Sequence, residues 1–286
     1  MSIIQTLFFR PIQLSDKNWI ESCRDIRQNP FTALSFPSLY TWREPYGLEI
    51  AGNGLSYVVR SRQDQAYFCP CGDPAACAAI VQSLPHPVRL LYLTQDQADK
   101  FRNAGAVRER PDLNEYLART LTLALREGHA SNSYKMKCRH FQREHAYEVH
   151  RLTPEDIPYI IQLADKIEHL SPESDVGDMP VLRSMLETFE ALDFQGLLLR
   201  TQTGAEAFII GYENTPGMFT MTMAKHDPLL PPETTAVMVH ELAIHLAEQY
   251  PVINLEEDLG MAGLRQAKEL YSPIGQLRVF EALLNE

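Results

Sequence analysis

The stretch Leu255-Glu256-Glu257-Asp258-Leu259-Gly260-Met261-Ala262-Gly263-Leu264-Arg265-Gln266-Ala267-Lys268-Glu269-Leu270-Tyr271-Ser272-Pro273 packs carboxylates, glycines, two cations and a phenol into one short segment. Its spacing reads as a helix, yet a surface helix excludes glycine, because each interior Gly costs about 1 kcal/mol relative to Ala. Gly260 and Gly263 sit within it. Either something approaches that backbone closely or the backbone angles there are unusual. With Asp258 as the helix cap, Arg265 and Lys268 share one face, and Leu264, Ala267 and Tyr271 share another. Glu256 and Glu257 then arrive from a strand at 252–254, near the positive end of the helix where carboxylates are favoured.

Working outward, the second half reads as a strand at 148–152, a helix opened by Thr153-Pro154-Glu155-Asp156, and a helix at 180–192. Strands at 196–200, 205–213 and 218–224 follow, then a long helix at 233–249, the strand and helix of the opening stretch, and a last strand at 278–284. The first half has a strand at 3–9, a helix at 15–27, an aromatic-rich region at 31–46, and strands at 48–50, 57–60 and 66–69. After these come a helix at 74–84, a strand at 89–93, a helix at 95–104 and a closing strand within 114–125. This is an α+β pattern in two copies of one unit, which predicts domains at 1–128 and 129–286 with the site in the second.

The net charge of −11 is unevenly spread. Residues 1–128 carry 14 Lys/Arg against 13 Asp/Glu, whereas 129–286 carry 12 against 24. Inside that acidic half, 133–151 holds five cations, Lys135, Lys137, Arg139, Arg143 and Arg151, with only Glu144 and Glu148. One basic strap on an acidic body suggests a localised anion contact, since coating by nucleic acid needs a basic surface. On a helix, Lys135, Arg139 and Arg143 line up while Tyr134, Cys138, Phe141 and His145 face the other way. The alternative is a solvated helix face. Residues 152–286 carry 7 Lys/Arg against 22 Asp/Glu, so a cationic acceptor or acyl side chain is expected.

No run of eighteen apolar residues and no basic-then-apolar leader occurs, so a soluble cytoplasmic protein with no integral membrane segment is expected. Cys69, Cys71 and Cys77 lack a fourth ligand and the usual zinc spacing, and read as free thiols around a turn at Pro70 and Gly72. His240-Glu241-Leu242-Ala243-Ile244-His245 imitates a zinc-protease motif, but the histidines are five apart, about 140° around a helix. His245 can instead meet Glu241. No metal is assigned. Phe31, Phe36, Tyr40, Trp42 and Tyr46 read as packing, with Trp42 and Arg43 the residues to watch as a substrate wall.

The element order resembles the GNAT acyltransferase fold, in which the helix after the fifth strand commonly ends in Ala-x-x-x-Tyr-x-x-x-Gly. Ala267, Tyr271 and Gly275 match it. A closer resemblance covers nearly the whole chain. Asn29-Pro30-Phe31, Ser38-Leu39-Tyr40-Thr41-Trp42-Arg43, residues 134–141 and residues 256–273 are similar to a bacterial family of stand-alone proteins related to the C-terminal domain of phosphatidylglycerol lysyltransferase. That resemblance implies two tandem acetyltransferase-like (GNAT) domains, with mixed central sheets flanked by helices. It also implies an acyl- or aminoacyltransferase whose donor is an aminoacyl-tRNA and whose acceptor is a small molecule, a peptide or a lipid headgroup. The related family carries further cations where this chain has Met136 and Cys138.

Acyl transfer needs a base for the nucleophile, a cation or donor for the oxyanion and an acid for the leaving group. Glu257 or Asp258, Arg265 or Lys268, and Tyr271 are the candidates; a structural ion-pair cluster is the alternative. Lys225 and the strap cations Lys135, Arg139 and Arg143 are the candidates for donor binding, the strap as a tRNA contact. An acetyl-CoA user needs a glycine-rich turn of N–H groups between its fourth strand and the next helix. Here that connection is Lys225-His226-Asp227-Pro228-Leu229-Leu230-Pro231-Pro232-Glu233, where two adjacent prolines remove two N–H donors. Acyl-CoA bound in the usual mode is disfavoured, and no cofactor is assigned. The rival expectation is a non-catalytic ligand-binding or regulatory protein that retains the fold.

Overall fold

The computed structural model describes residues 7–24, 29–127, 131–170 and 178–285. Most of the predicted strand at 3–9 and the end of the predicted helix at 15–27 lie outside them. The chain divides into two compact units, Met1–Asn114 with Leu277–Glu286, and Glu115–Gln276.

The first unit runs β1 (Arg10–Pro11), α1 (Lys17–Cys23), α2 (Phe36–Thr41), β2 (Leu48–Asn53), β3 (Ser56–Ser61), β4 (Ala66–Phe68), β5 (Cys71–Gly72), α3 (Pro74–Ser83), β6 (Val88–Leu93), α4 (Gln95–Asp99) and β7 (Gly105–Glu109). The second runs β8 (Glu115–Arg119), α5 (Thr120–Leu125), α6 (Asn132–Glu144), β9 (Tyr147–Arg151), α7 (Ile157–Leu170), α8 (Met179–Glu187), β10 (Gln195–Thr201), β11 (Glu206–Thr215), β12 (Met218–His226), α9 (Thr234–Leu246), β13 (Val252–Asn254), α10 (Ala262–Glu269) and β14 (Gly275–Leu277). The chain then closes with β15 (Phe280–Leu284).

In the first sheet the order is β1-β2-β3-β4-β6-β15-β7, with β5 on β3. Strands β4 and β6 are parallel. β15 lies between β6 and β7, so that Ala282 pairs with Leu90 on one side and Val107 on the other. Its Glu281 is almost fully buried and accepts from Arg89, Arg108 and Arg110, which holds the carboxyl below its usual range against the effect of burial. A buried carboxylate persists only with such partners. Trp42 stacks edge-on against Tyr46 at 5.4 Å, and Arg43 lies over the Tyr40 ring at 3.8 Å.

The second sheet has the order β14-β8-β13-β12-β11-β10-β9. Alternation along its strands explains the layering. Leu197, Leu199, Ala207, Ile209, Phe219 and Ile253 join the core built on α9, while Leu198, Phe208 and Ile210 are buried as well. A sheet with both faces covered reads as continuous apolar sequence. Helix α9 is buried along most of its length from Thr234 to Leu246.

Two segments fall elsewhere than their sequence placed them. The predicted closing strand within 114–125 is β8 followed by α5, and β8 pairs with β13 in the second sheet through Ala118↔Ile253. The predicted last strand of the second half is β15, an interior strand of the first sheet. The division therefore falls at Asn114/Glu115 and again near Leu277, whereas the sequence placed one boundary at 128/129. Periodicity identifies a strand, but the sheet it joins is set by long-range pairing that periodicity does not encode.

Candidate functional site

Strands β12 and β13 run parallel only from Met218↔Val252 to Thr220↔Asn254. β12 continues to His226, while the chain after β13 turns off at Leu255 and Glu256. Glu256 sits in the left-handed region at φ +61°, a conformation that costs an ordinary residue roughly 1–2 kcal/mol. Backbone and side-chain bonds hold it there. Its carbonyl accepts from the Tyr116 N–H at 3.1 Å, and its N–H donates to Asn254 Oδ1 at 2.8 Å. Asn254 is itself fully buried and donates to Glu115 Oε2 at 2.5 Å.

The Glu256 carboxylate bridges back to β12, where Oε1 accepts from Thr222 Oγ1 at 2.7 Å. Burial and the neighbouring charge of Glu257 push this carboxyl up to about 8, against the pull of Lys268 and Thr222. Lys268 donates to the Leu255 carbonyl. Burial pulls its ammonium down, while Glu256, Glu257 and Asp258 hold it up. Opposite charges desolvated together each favour the charged form of the other, while burial disfavours both. Glu256, Glu257 and Lys268 thus form one electrostatic group.

Asp258 belongs to a second, saturated cluster. It is 1% exposed. Its Oδ2 accepts from Tyr116 Oη at 2.7 Å and Arg265 Nε at 2.8 Å, and its Oδ1 from the Gly260 N–H at 2.8 Å. Burial opposes its charge, but these donors outweigh burial and hold the carboxyl below its usual range. A carboxylate so held is an anchor and a poor base. Nor is Asp258 the helix cap expected from sequence. Helix α10 starts at Ala262 after Met261, and Asp258 closes a tight turn in which Gly260 supplies φ +73°. Gly263 lies inside the helix, but a Cβ there would meet open space, so no close approach explains it. No residue of α10 is buried.

The remaining predicted residues lie apart from this group. Tyr271 is 4% exposed in the core, its ring edge-on to Tyr134 at 5.6 Å, and burial raises its hydroxyl well above the ordinary value. It is a packing residue that offers no proton to the carboxylates. Lys225 pairs with Asp178 Oδ1 at 2.6 Å. Lys135, Arg139 and Arg143 lie on α6, whose Tyr134, Cys138 and Phe141 are buried, and Arg143 pairs with Glu144. The helix is tied to the segment after α10 by Ser131, which caps α6 through the Tyr134 N–H and donates to the Leu270 carbonyl at 2.7 Å. His240 Nδ1 lies 3.1 Å from the Leu123 carbonyl, Glu241 accepts from Tyr147 Oη, and His245 Nδ1 accepts from Arg151 Nε. The expected His245–Glu241 pair is thus replaced by two separate ones.

In the connection from β12 to α9, Asp227 is fully buried. It accepts from Lys166 Nζ at 2.6 Å and from the Leu229 N–H at 2.9 Å. The turn already carries its own anion. Sequence reading gave Glu256 no catalytic role and missed Thr222, Asn254, Glu115 and Tyr116, because their convergence depends on the pairing of β8 with β13. The buried polar residues on apolar strands are the signal that was available.

A model of the phosphatidylglycerol lysyltransferase C-terminal family matches residues 27–281. A search of curated proteins gives no match. Among solved structures, a conserved protein of unknown function from Bacteroides thetaiotaomicron is 25% identical with a TM-score of 0.86, over 98% of this chain and 100% of its own. L-PGS from Bacillus licheniformis is 14% identical with a TM-score of 0.67, over 99% of this chain and 95% of its own. A tandem GNAT protein from the clavulanic acid biosynthesis pathway is 10% identical with a TM-score of 0.51, over 97% of this chain and 98% of its own. The expected fold class, tandem GNAT-like with two mixed sheets flanked by helices, is the one found. No helix among the described residues is long and apolar enough to cross a membrane.

Proposed function

The chain belongs to the phosphatidylglycerol lysyltransferase C-terminal family, and from that premise we propose that it transfers an activated acyl or aminoacyl group to an amine or hydroxyl acceptor at Glu256, Glu257 and Lys268. The observation that carries this reading is the Glu256 carboxyl, held near 8 beside the half-buried Lys268 ammonium where β12 and β13 part. A carboxylate tuned near the working pH suits proton transfer. Glu256 takes the proton of the acceptor as its nitrogen or oxygen bonds to the acyl carbon. Lys268 stabilises the oxyanion. The donor ester bond then breaks, and the proton passes from Glu256 to the leaving oxygen. Asp258 and Arg265, given catalytic roles on sequence alone, serve to hold the segment.

The acidic surplus of the second half supports a cationic acceptor or acyl side chain, with Glu257 drawing it in. The donor that fits is an aminoacyl-tRNA, because the Asp227 carboxylate sits where a CoA pyrophosphate would need free N–H groups. The α6 strap supplies the tRNA contact in this reading. The triple variant Lys135→Glu, Arg139→Glu and Arg143→Glu is expected to weaken tRNA binding at least tenfold and to lower the slope of log K against log salt by about 2, at roughly 0.7 per cation. Filter binding across a salt series measures both, and an unchanged slope makes the strap a solvated face.

The direct assay incubates the protein with aminoacyl-tRNAs and acyl-CoAs, offering polyamine, peptide and lipid acceptors. Transfer from aminoacyl-tRNA to a cationic acceptor is the expected result. No transfer from either donor, with no donor protecting Lys268 from acylating reagents, overturns it in favour of a non-catalytic binding protein.

A further inference from the structure

The first unit contains a cavity of ≈ 330 Å³ that the proposed reaction does not use. It lies where the parallel strands β4 and β6 end. Cys69 and Pro70 follow β4, Leu93 ends β6, and Val81 and Phe101 come from α3 and the turn after α4. A cavity of this size, mostly apolar and with few polar groups, is the usual form of a small-molecule site.

The polar groups around it narrow what it can hold. Gln97 is occupied, since its Oε1 accepts from the Thr94 N–H and its Nε2 donates to Asn29 Oδ1 at 3.0 Å. Asp73 caps α3 by accepting from the N–H groups of Ala75 at 3.0 Å and Ala76 at 2.9 Å, so the helix start carries its own anion and offers little to a phosphate. Cys77, in the wall, is raised to about 11 by burial and by the Asp73 charge, and stays a thiol at neutral pH. A protonated thiol is a weak nucleophile, which argues for a ligand held without a covalent bond. Among the described residues, Lys100 is the one cation lining the cavity. Its charge acts on the buried thiol of Cys69, another lining residue, and among the described residues it has no carboxylate partner.

We propose that this cavity binds a medium-chain fatty carboxylate, with the alkyl chain against Cys69, Val81, Leu93 and Phe101 and the carboxylate at Lys100. The apolar walls fit an alkyl chain, the unpartnered ammonium fits one negative charge, and the capped helix start disfavours a phosphate-bearing headgroup. The site lies wholly in the first unit and does not depend on the transfer reading.

Cys77 provides the readout. It is partly exposed while Cys23, Cys69, Cys71 and Cys138 are buried, so its labelling by a maleimide reports cavity occupancy, and Cys77→Ala identifies the signal. With the full-length protein, hexanoate, octanoate and decanoate are expected to slow labelling with half-effect concentrations that fall about fourfold per added methylene until the cavity is full. Lys100→Met, an exposed substitution that leaves the fold alone, is expected to weaken octanoate about fivefold and leave octanol unchanged. Octyltrimethylammonium is expected to give no protection, and octanoyl-CoA no more than octanoate. Absence of protection by all three carboxylates at millimolar concentration overturns the proposal. So does octanol equal to octanoate in the unmodified protein, or octanoyl-CoA binding more tightly than either.

Discussion

Glu256→Gln is expected to lower the transfer rate by roughly three orders of magnitude, within the range removed with a general acid–base group, and to abolish the rise of rate with pH. The amide still accepts the Thr222 hydrogen bond, so the segment keeps its geometry while losing the proton acceptor. In the unmodified protein the rate climbs as Glu256 loses its proton and levels off above about 8. The same shift makes stability depend on pH. The folded chain keeps this proton up to about 8, whereas the unfolded chain releases it near 4.5. Between those values the folded state binds more protons, so this contribution is complete below 4.5 and is lost as pH rises through the window. Lys268, whose value is depressed, acts in the opposite sense, and stability is regained as pH rises through its folded value. The stability of the unmodified protein relative to Glu256→Gln should therefore decline from pH 5 to pH 8. Rate profiles and urea melts over that range test both halves; a variant that keeps the alkaline rise in rate removes Glu256 as the base.

Asp258→Ala is expected to cost about 3 kcal/mol, the range for removing a buried charged acceptor from its partners. Tyr116 Oη, the Gly260 N–H and Arg265 Nε all lose the same carboxylate. The Arg265 side chain is 46% exposed and finds water instead, which keeps the loss at the lower end. At about 2–4 °C per kcal/mol for a chain of this size, the melting temperature falls by about 6–12 °C. Arg265→Met, which removes only the partly exposed partner, is expected to cost about 1 kcal/mol. Thermal melts of the two variants side by side decide the matter. A loss of under about 2 °C for Asp258→Ala shows that the anchor is elsewhere, and restores this carboxylate as a candidate for chemistry.

How far the site was legible follows from which forces act locally. The three-stranded meander β10 to β12, the long helix α9 and the short strand β13 all show in the apolar pattern, because burial imposes the period on each. The Glu256 to Lys268 segment was legible as unusual for the same reason, since glycine and paired carboxylates contradict a plain amphipathic helix. What the pattern could not distinguish was which carboxylate is free to react. Asp258 and Glu256 are two residues apart, yet one meets three donors and the other a single hydroxyl and an ammonium neighbour. That difference comes from Tyr116 on β8, distant in sequence. Tyr271 deceived for a similar reason, because its hydroxyl suggests chemistry while its ring is held by Tyr134. Strand β7 went unread because its residues are at best half-buried and its charged side chains mask the alternation.

The placement of β15 bears on how this protein is made. Residues up to Asn114 leave the ribosome lacking the strand that must separate β6 from β7, and the whole of 115–276 emerges before that strand does. The second unit can complete its sheet while synthesis continues. The first waits with two open sheet edges, with Arg89 and Arg108 lacking Glu281 and Arg110 held by Asp112 alone. Domains usually mature in the order of synthesis, N-terminal first. This topology is expected to invert that order, and the interval before β15 emerges is when the nascent chain is most exposed to edge-to-edge association.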